Sequence, residues 1–190
     1  MLDIILILAA AAVIVFIVAA AMQPTDFRIT RTGTITAPAS AVFPHVNDLH
    51  QWDAWSPWAK LDPNATNAFE GPASGVGAIM RWAGNINVGQ GSMTIIESRP
   101  DEFIRFKLEF LKPMAATNTA EFTFTSENDQ TTVTWSMYGK NDFKGKAIGL
   151  IMNCDKMVGG QFEQGLAAMK SVAEGTAQDQ PATRHVTANP

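Results

Sequence analysis

The chain holds a single cysteine, Cys154. No intrachain disulfide can form, and no cysteine cluster exists to hold a metal. Histidine is almost as scarce: His45, His50 and His185 are the full set. His45 and His50 are not at the i, i+4 spacing of a helical zinc motif, and His185 is remote from both, so no metal or other cofactor is expected. Basic residues are outnumbered, 14 Lys and Arg against 18 Asp and Glu, for a net charge of −4. A nucleic-acid partner needs a basic face, and none is expected here. No Ser-His-Asp or Cys-His arrangement is legible. Gly75-Val76-Gly77 lacks the third glycine and the following helix of a dinucleotide loop, and reads as a hairpin turn.

Charge is entirely missing from Ile4 to Met22, written IILILAAAAVIVFIVAAAM. As a helix this run is about 29 Å long, close to the ~30 Å hydrocarbon core of a bilayer. Residues 1–22 are therefore expected to be a transmembrane anchor, with 23–26 as a linker. A cleaved secretory signal is the alternative. Ala19-Ala20-Ala21 resembles a cleavage site, but Met1-Leu2-Asp3 supplies no basic n-region and the apolar run is long. Arg28 and Arg31, the only flanking basic residues, follow the span. Positive-inside logic then predicts a single-pass inner-membrane protein with its domain in the cytoplasm. A periplasmic or secreted domain is the alternative if the segment is cleaved.

Beyond the linker the hydropathy pattern changes period twice. Arg28–Thr36 is rich in β-branched residues and predicts a strand. Pro38 opens a short helix carrying Val42, Phe43, Val46 and Leu49, with Pro44 inside it. Trp52, Trp55 and Trp58 recur every third residue, so a helical or 3₁₀ turn would put them on one face. Strands follow at 67–70, 77–83, 89–97, 103–111, 117–125 and 131–138. In the clearest, Ile104, Phe106, Leu108 and Phe110 alternate with charged Arg105, Lys107 and Glu109. From Lys146 to about Ala173 the period is helical again, with an irregularity expected near Asn153 or Gly159-Gly160. Five glycines lie between 145 and 165, each costing about 1 kcal/mol against alanine in a helix. Either close packing on a sheet or room for a ligand placed them. Residues 175–190 are polar and aperiodic and are expected to be a disordered tail.

The order of strand, two short helices, about six strands and one long helix resembles the START-like, or helix-grip, superfamily, which includes Bet v 1-like proteins and polyketide cyclase/dehydrase-type (SRPBCC) domains. Ala37-Pro38 with Val42-Phe43, Trp52, Trp55-Ser56-Pro57-Trp58, Gly71-Pro72, Gly75-Val76-Gly77, Thr117-Asn118-Thr119, Trp135-Ser136-Met137 and Phe162-Glu163-Gln164-Gly165-Leu166 carry the likeness. It covers residues 27–174 and is nearest to bacterial polyketide cyclase-like members with an N-terminal membrane segment. The resemblance implies an α+β domain, an antiparallel sheet wrapped around a long C-terminal helix with an apolar cavity between them.

Such a cavity would bind a hydrophobic small molecule or lipid at the membrane. Its expected wall is Trp55, Trp58, Trp82, Phe106, Phe122, Trp135, Met152 and Phe162, with Arg81 and Asn118 as polar contacts. A cyclase- or dehydratase-like enzyme is the second reading, with Glu97 as the candidate acid or base because its parity with Met93 and Ile95 points it inward. Arg81, Asn118, Glu121 and Tyr138 are the other polar candidates, Glu121 with the outward parity. Lys140, Lys144 and Lys146 flank the last helix as a solvated loop or a contact for anionic headgroups. A partner-binding membrane protein with a filled core is the third reading; its protein partner is not legible.

Overall fold

The computed structural model describes residues 1–178. Helix α1 spans Leu2–Met22 and is apolar all round; only Ala20 is buried. A helix without a polar face needs an apolar environment on every side. Among the described residues α1 is the one helix long and apolar enough to cross a membrane. Strand β1, Asp26–Ile35, follows after three intervening residues. Helix α2, Ala39–Asn47, starts at Pro38 and carries Pro44 internally. Two 3₁₀ turns follow, Leu49–Ala54 and Pro57–Lys60.

The remaining strands are β2 (Thr66–Glu70), β3 (Ile79–Ala83), β4 (Gln90–Arg99), β5 (Phe103–Lys112), β6 (Ala116–Glu127) and β7 (Gln130–Lys140). They form one seven-stranded sheet in the order β1-β7-β6-β5-β4-β3-β2. Every neighbouring pair is antiparallel. The β6–β7 hairpin closes through Asn128 and Asp129, both at positive φ, the mirror-image turn whose twist matches that of the strands.

The expected single C-terminal helix is two helices. Helix α3 covers Phe143–Ile151 and α4 covers Cys154–Gln178, with the break at Met152-Asn153. Asn153 accounts for the restart: its side chain accepts from the Lys156 backbone N–H at 2.9 Å and so caps the first turn of α4. Helix α4 runs on through Gly175 to Gln178, past the expected boundary of the tail. The rest of that tail, residues 179–190, lies outside the described residues.

The core lies in the concave face of the sheet. Ile104, Phe106, Phe122, Phe124, Val133 and Trp135 rise from the strands to meet Val42, Phe43 and Val46 of α2 and Phe162, Leu166 and Met169 of α4. Helix α4 is fixed to β1 by Arg31, which bonds Glu163 at 2.7 Å and Asp155 at 3.0 Å. Gly165 permits the close crossing. A Cβ there would stand 2.8 Å from the Trp135 ring and 3.1 Å from Pro57. Close packing explains this one of the helical glycines, whereas Gly149 and Gly160 face open space.

Candidate functional site: an aromatic cavity beneath the C-terminal helix

Between sheet and helix lies a cavity of about 220 Å³. The strands supply its floor: Met80 and Trp82 from β3, Met93 from β4, Phe106, Leu108 and Phe110 from β5, Ala120 from β6, and Trp135 and Met137 from β7. The 3₁₀ turns and α4 close it with Trp52, Trp58, Ala59, Val158 and Phe162. Polar groups are confined to Asp53, Ser56 and Asn67. Asp53 and Asn67 are solvent-exposed and hydrogen-bonded to each other at 3.1 Å, so they form a rim and not a buried polar centre.

Trp135 organises the wall. Its ring stacks on Phe162 at 4.1 Å with 8° between the planes, and on Phe122 at 4.7 Å from the other neighbour. Trp52, Trp55 and Trp58 all approach Trp135 edge-on, at 6.3, 5.6 and 5.7 Å. Such edge-to-face pairs add roughly 0.5–1.5 kcal/mol each beyond the area they bury. Two of the indoles also serve the backbone. Trp52 Nε1 donates to the Val46 carbonyl at 3.0 Å and Trp55 Nε1 to the His45 carbonyl at 2.9 Å. Both carbonyls sit in the last turn of α2, where no intrahelical donor remains. Gly91 opens the floor: a Cβ there would meet the Trp82 ring and the Glu109 carbonyl. On α4, Gln161 shares the i, i+3, i+4, i+7 stripe of Val158, Phe162 and Gly165. Its Oε1 is buried without a hydrogen-bond partner, an unused acceptor on that helix.

Five of the expected wall residues, Trp58, Trp82, Phe106, Trp135 and Phe162, line the cavity. The others lie elsewhere for identifiable reasons. Trp55 ends the first 3₁₀ turn and is fully buried, turned toward α2 by its bond to His45. Phe122 is fully buried behind Trp135. Met152 lies at the α3–α4 break, 45% exposed, in a separate surface groove. Asn118 is on the inner face but at its far end, where it pairs with Gly139 and leaves no room for a side chain there.

Arg81 and Glu97 are corrections of facing. Arg81 is flanked by Met80 and Trp82, both in the cavity, so strand alternation turns it out to Glu70, which it bonds at 2.7 Å. The hydrogen bond from Arg81 holds the Glu70 carboxyl below its usual range. Glu97 is inverted by a β-bulge: Ile95 pairs with Phe106 but Glu97 with Arg105, so Ile96 is unpaired and the parity flips. Glu97 joins a cluster on the convex face instead. There Arg105 donates to Glu97 and, at 2.8 Å, to Glu121, which also accepts from Tyr138 at 2.8 Å. The Arg28 guanidinium covers the Tyr138 ring at 4.2 Å. Partial burial pushes the Glu121 carboxyl up. The bonds from Arg105 and Tyr138 and the Arg105 and Arg28 charges more than offset this, leaving it below the usual range. The lining residues absent from the expected wall include Met80, Met93, Met137 and Val158, together with Trp52, Leu108, Phe110 and Ala120. Inward parity marks the methionines, but nothing local distinguishes a cavity wall from a filled core.

Sheet, helix and apolar hollow together define a helix-grip α+β protein of the Bet v 1-like kind. The chain belongs to the polyketide cyclase/dehydrase and lipid transport family, whose model matches residues 26–174. Solved structures of the same fold include the di-domain ARO/CYC BexL from the BE-7585A biosynthetic pathway. It is 18% identical, with a TM-score of 0.58 over 82% of this chain and 52% of that one. Protein SA2116 from Staphylococcus aureus, described as of unknown function, is 14% identical, with a TM-score of 0.59 over 80% of this chain and 96% of that one. Ara h 8.0201 is 9% identical, with a TM-score of 0.53 over 79% and 99%. No curated protein matches the chain.

Proposed function

We propose that this protein is a membrane-anchored binder that holds a small hydrophobic molecule in the cavity beneath α4. The observation that carries this is the 220 Å³ hollow walled by aromatic rings and methionines, with Ser56 as its one buried polar side chain and Asp53 and Asn67 at its rim. A cavity of roughly 150 Å³ lined by apolar side chains stays dry and takes up benzene. The volume here accordingly suits a ligand of one or two fused rings and is too small for a whole phospholipid. Met80, Met93 and Met137 let the wall adapt to ligand shape. The family's link to lipid transport and cyclase chemistry is consistent with an apolar ligand. The anchor keeps the cavity beside the phase in which such a molecule dissolves, raising its effective concentration.

The test is uptake of 1-aminonaphthalene, whose absorption overlaps tryptophan emission, by the full chain in lipid nanodiscs. Excitation of the cavity tryptophans should give saturable energy transfer to the probe. Ala120 is buried on the cavity floor, and Ala120→Leu should fill the space and raise the Kd read from the transfer titration about tenfold or more, a loss of ~1.4 kcal/mol of binding. Saturable transfer absent from the natural sequence would overturn the binding reading.

An enzymatic reading has one foothold. With Glu97 on the convex face, Asp53 is the ionisable side chain that lines the cavity. A cyclase or dehydratase would have to draw its acid or base from that rim, and Asp53→Asn would then abolish turnover with binding retained.

A further inference from the structure

Helix α3 carries Phe143, Ile148, Leu150 and Ile151, yet not one of its residues is buried. Phe143 is 51% exposed and Ile151 76%, and beyond the break Met157 is 51% exposed. An apolar helix without a buried face calls for an apolar medium around it. Its position supplies one. Helix α3 packs against α1, the bilayer-length helix, and the three residues between α1 and β1 can span only about 10 Å. That link is itself fastened, because the Asn141 N–H donates to the Thr25 carbonyl at 2.7 Å just before α3. Anchor, β1 and α3 thus meet at one level. Lys144 and Lys146 on α3 add the basic charge that anionic headgroups attract.

Behind α3 runs a groove of about 740 Å³, with Phe27 and Ile29 of β1, Leu150 of α3 and Val158 of α4 on its apolar side and Arg28, Asn141, Asn153 and Asp155 on its polar side. Met137 and Val158 line both this groove and the inner cavity, so two partly buried apolar side chains alone are shared by both hollows. We infer that α3 lies in the interfacial layer of the bilayer and that the groove behind it is the route by which an apolar ligand passes from the membrane into the cavity, with Met137 and Val158 as its gate. The route rests on the binding function proposed above; the seating of α3 does not.

Two measurements test it on the full chain in vesicles of phosphatidylcholine and phosphatidylglycerol. In a Cys154→Ser background, a nitroxide is placed at Ile151→Cys or, as a control, at Asn128→Cys in the β6–β7 turn at the opposite end of β7 from α3. The label at 151 should be more accessible to oxygen than to a water-soluble nickel complex, and the label at 128 the reverse. A water-exposed label at 151, or strong spin–spin coupling between copies there, would overturn the bilayer seat. In the second measurement 1-aminonaphthalene is delivered from the vesicles and tryptophan energy transfer is followed by stopped flow. Gly149 lines the groove and a Cβ there meets nothing within 4 Å, so Gly149→Phe adds a bulky ring at the groove with no clash at its Cβ. It should slow uptake about tenfold, one decade in rate, while the amount bound at equilibrium is unchanged. An unchanged rate with full equilibrium binding refutes the route and leaves the cavity standing. No equilibrium binding by the natural sequence refutes the function itself.

Discussion

At the scale of single residues, the convex face is more tightly organised than the cavity. Glu121 is the hub, holding Arg105 and Tyr138 by hydrogen bonds with its side chain 16% exposed. Its carboxyl titrates below the ordinary range in the folded protein. A depressed carboxylate contributes stability that is complete above its unfolded pKa, about 4.3, and disappears as pH falls through the folded value. Glu121→Gln should therefore cost about 1–2 kcal/mol near neutral pH. Paired thermal melts should show the gap to the natural sequence closing once the pH drops below about 4; a gap that persists there would assign the loss to packing. Arg81 and Glu97 show how far sequence reading reaches at this scale. Arg81 was decidable, since it adjoins Trp82 on one strand and the two cannot share a face. Glu97 was not, because the bulge at Ile96 is set by how β4 pairs with β5 across a turn, and no residue type in 95–97 announces it.

At the scale of elements, α4 combines two kinds of glycine whose difference is measurable. Gly160 faces open space, and Gly160→Ala should stabilise the protein by about 1 kcal/mol through helix propensity alone. Gly165 sits against Trp135 and Pro57, so the same gain is set against an overpacking cost of roughly 1–3 kcal/mol, and Gly165→Ala should be net destabilising. Chemical denaturation of both variants reads the contrast, and a stabilised Gly165→Ala would mean that α4 does not press on the tryptophan stack. The strands were legible because alternation survives wherever one face is buried, as in β5, whose Ile104 and Phe106 are fully buried while Lys107 is exposed. The break before α4 was foreshadowed by Asn153. The separate fate of α3 was not, since its apolar residues look like those of a core helix until the structure packs it on α1 with none of them buried. The cavity was legible only as a tendency: inward parity names Met93 and Trp135 alike, and whether their side chains leave a void depends on helix height above the sheet.

At the scale of the whole molecule, the apolar helix α1 packs on the domain through α3, and the Asn141–Thr25 bond fastens the link between them. Arg28, Lys140, Lys144 and Lys146 lie at the end of the domain next to α1, on β1, β7 and α3, whereas Arg31 is mid-strand and ion-paired to α4. That basic grouping strengthens the proposed placement of the domain in the cytoplasm. A fluorescent or phosphatase reporter fused to the C-terminus decides the side: fluorescence is expected, and phosphatase activity would put the domain outside. The bond between Asn141 and Thr25 gives this placement a further meaning. A domain on a loose tether samples a shell of water and meets solutes at their aqueous concentration. One fastened at its base surveys only the film of lipid around its foot. Under the proposed binding function, its occupancy follows how strongly a compound partitions into that film, and a weak intrinsic grip suffices for any compound that the bilayer has already gathered.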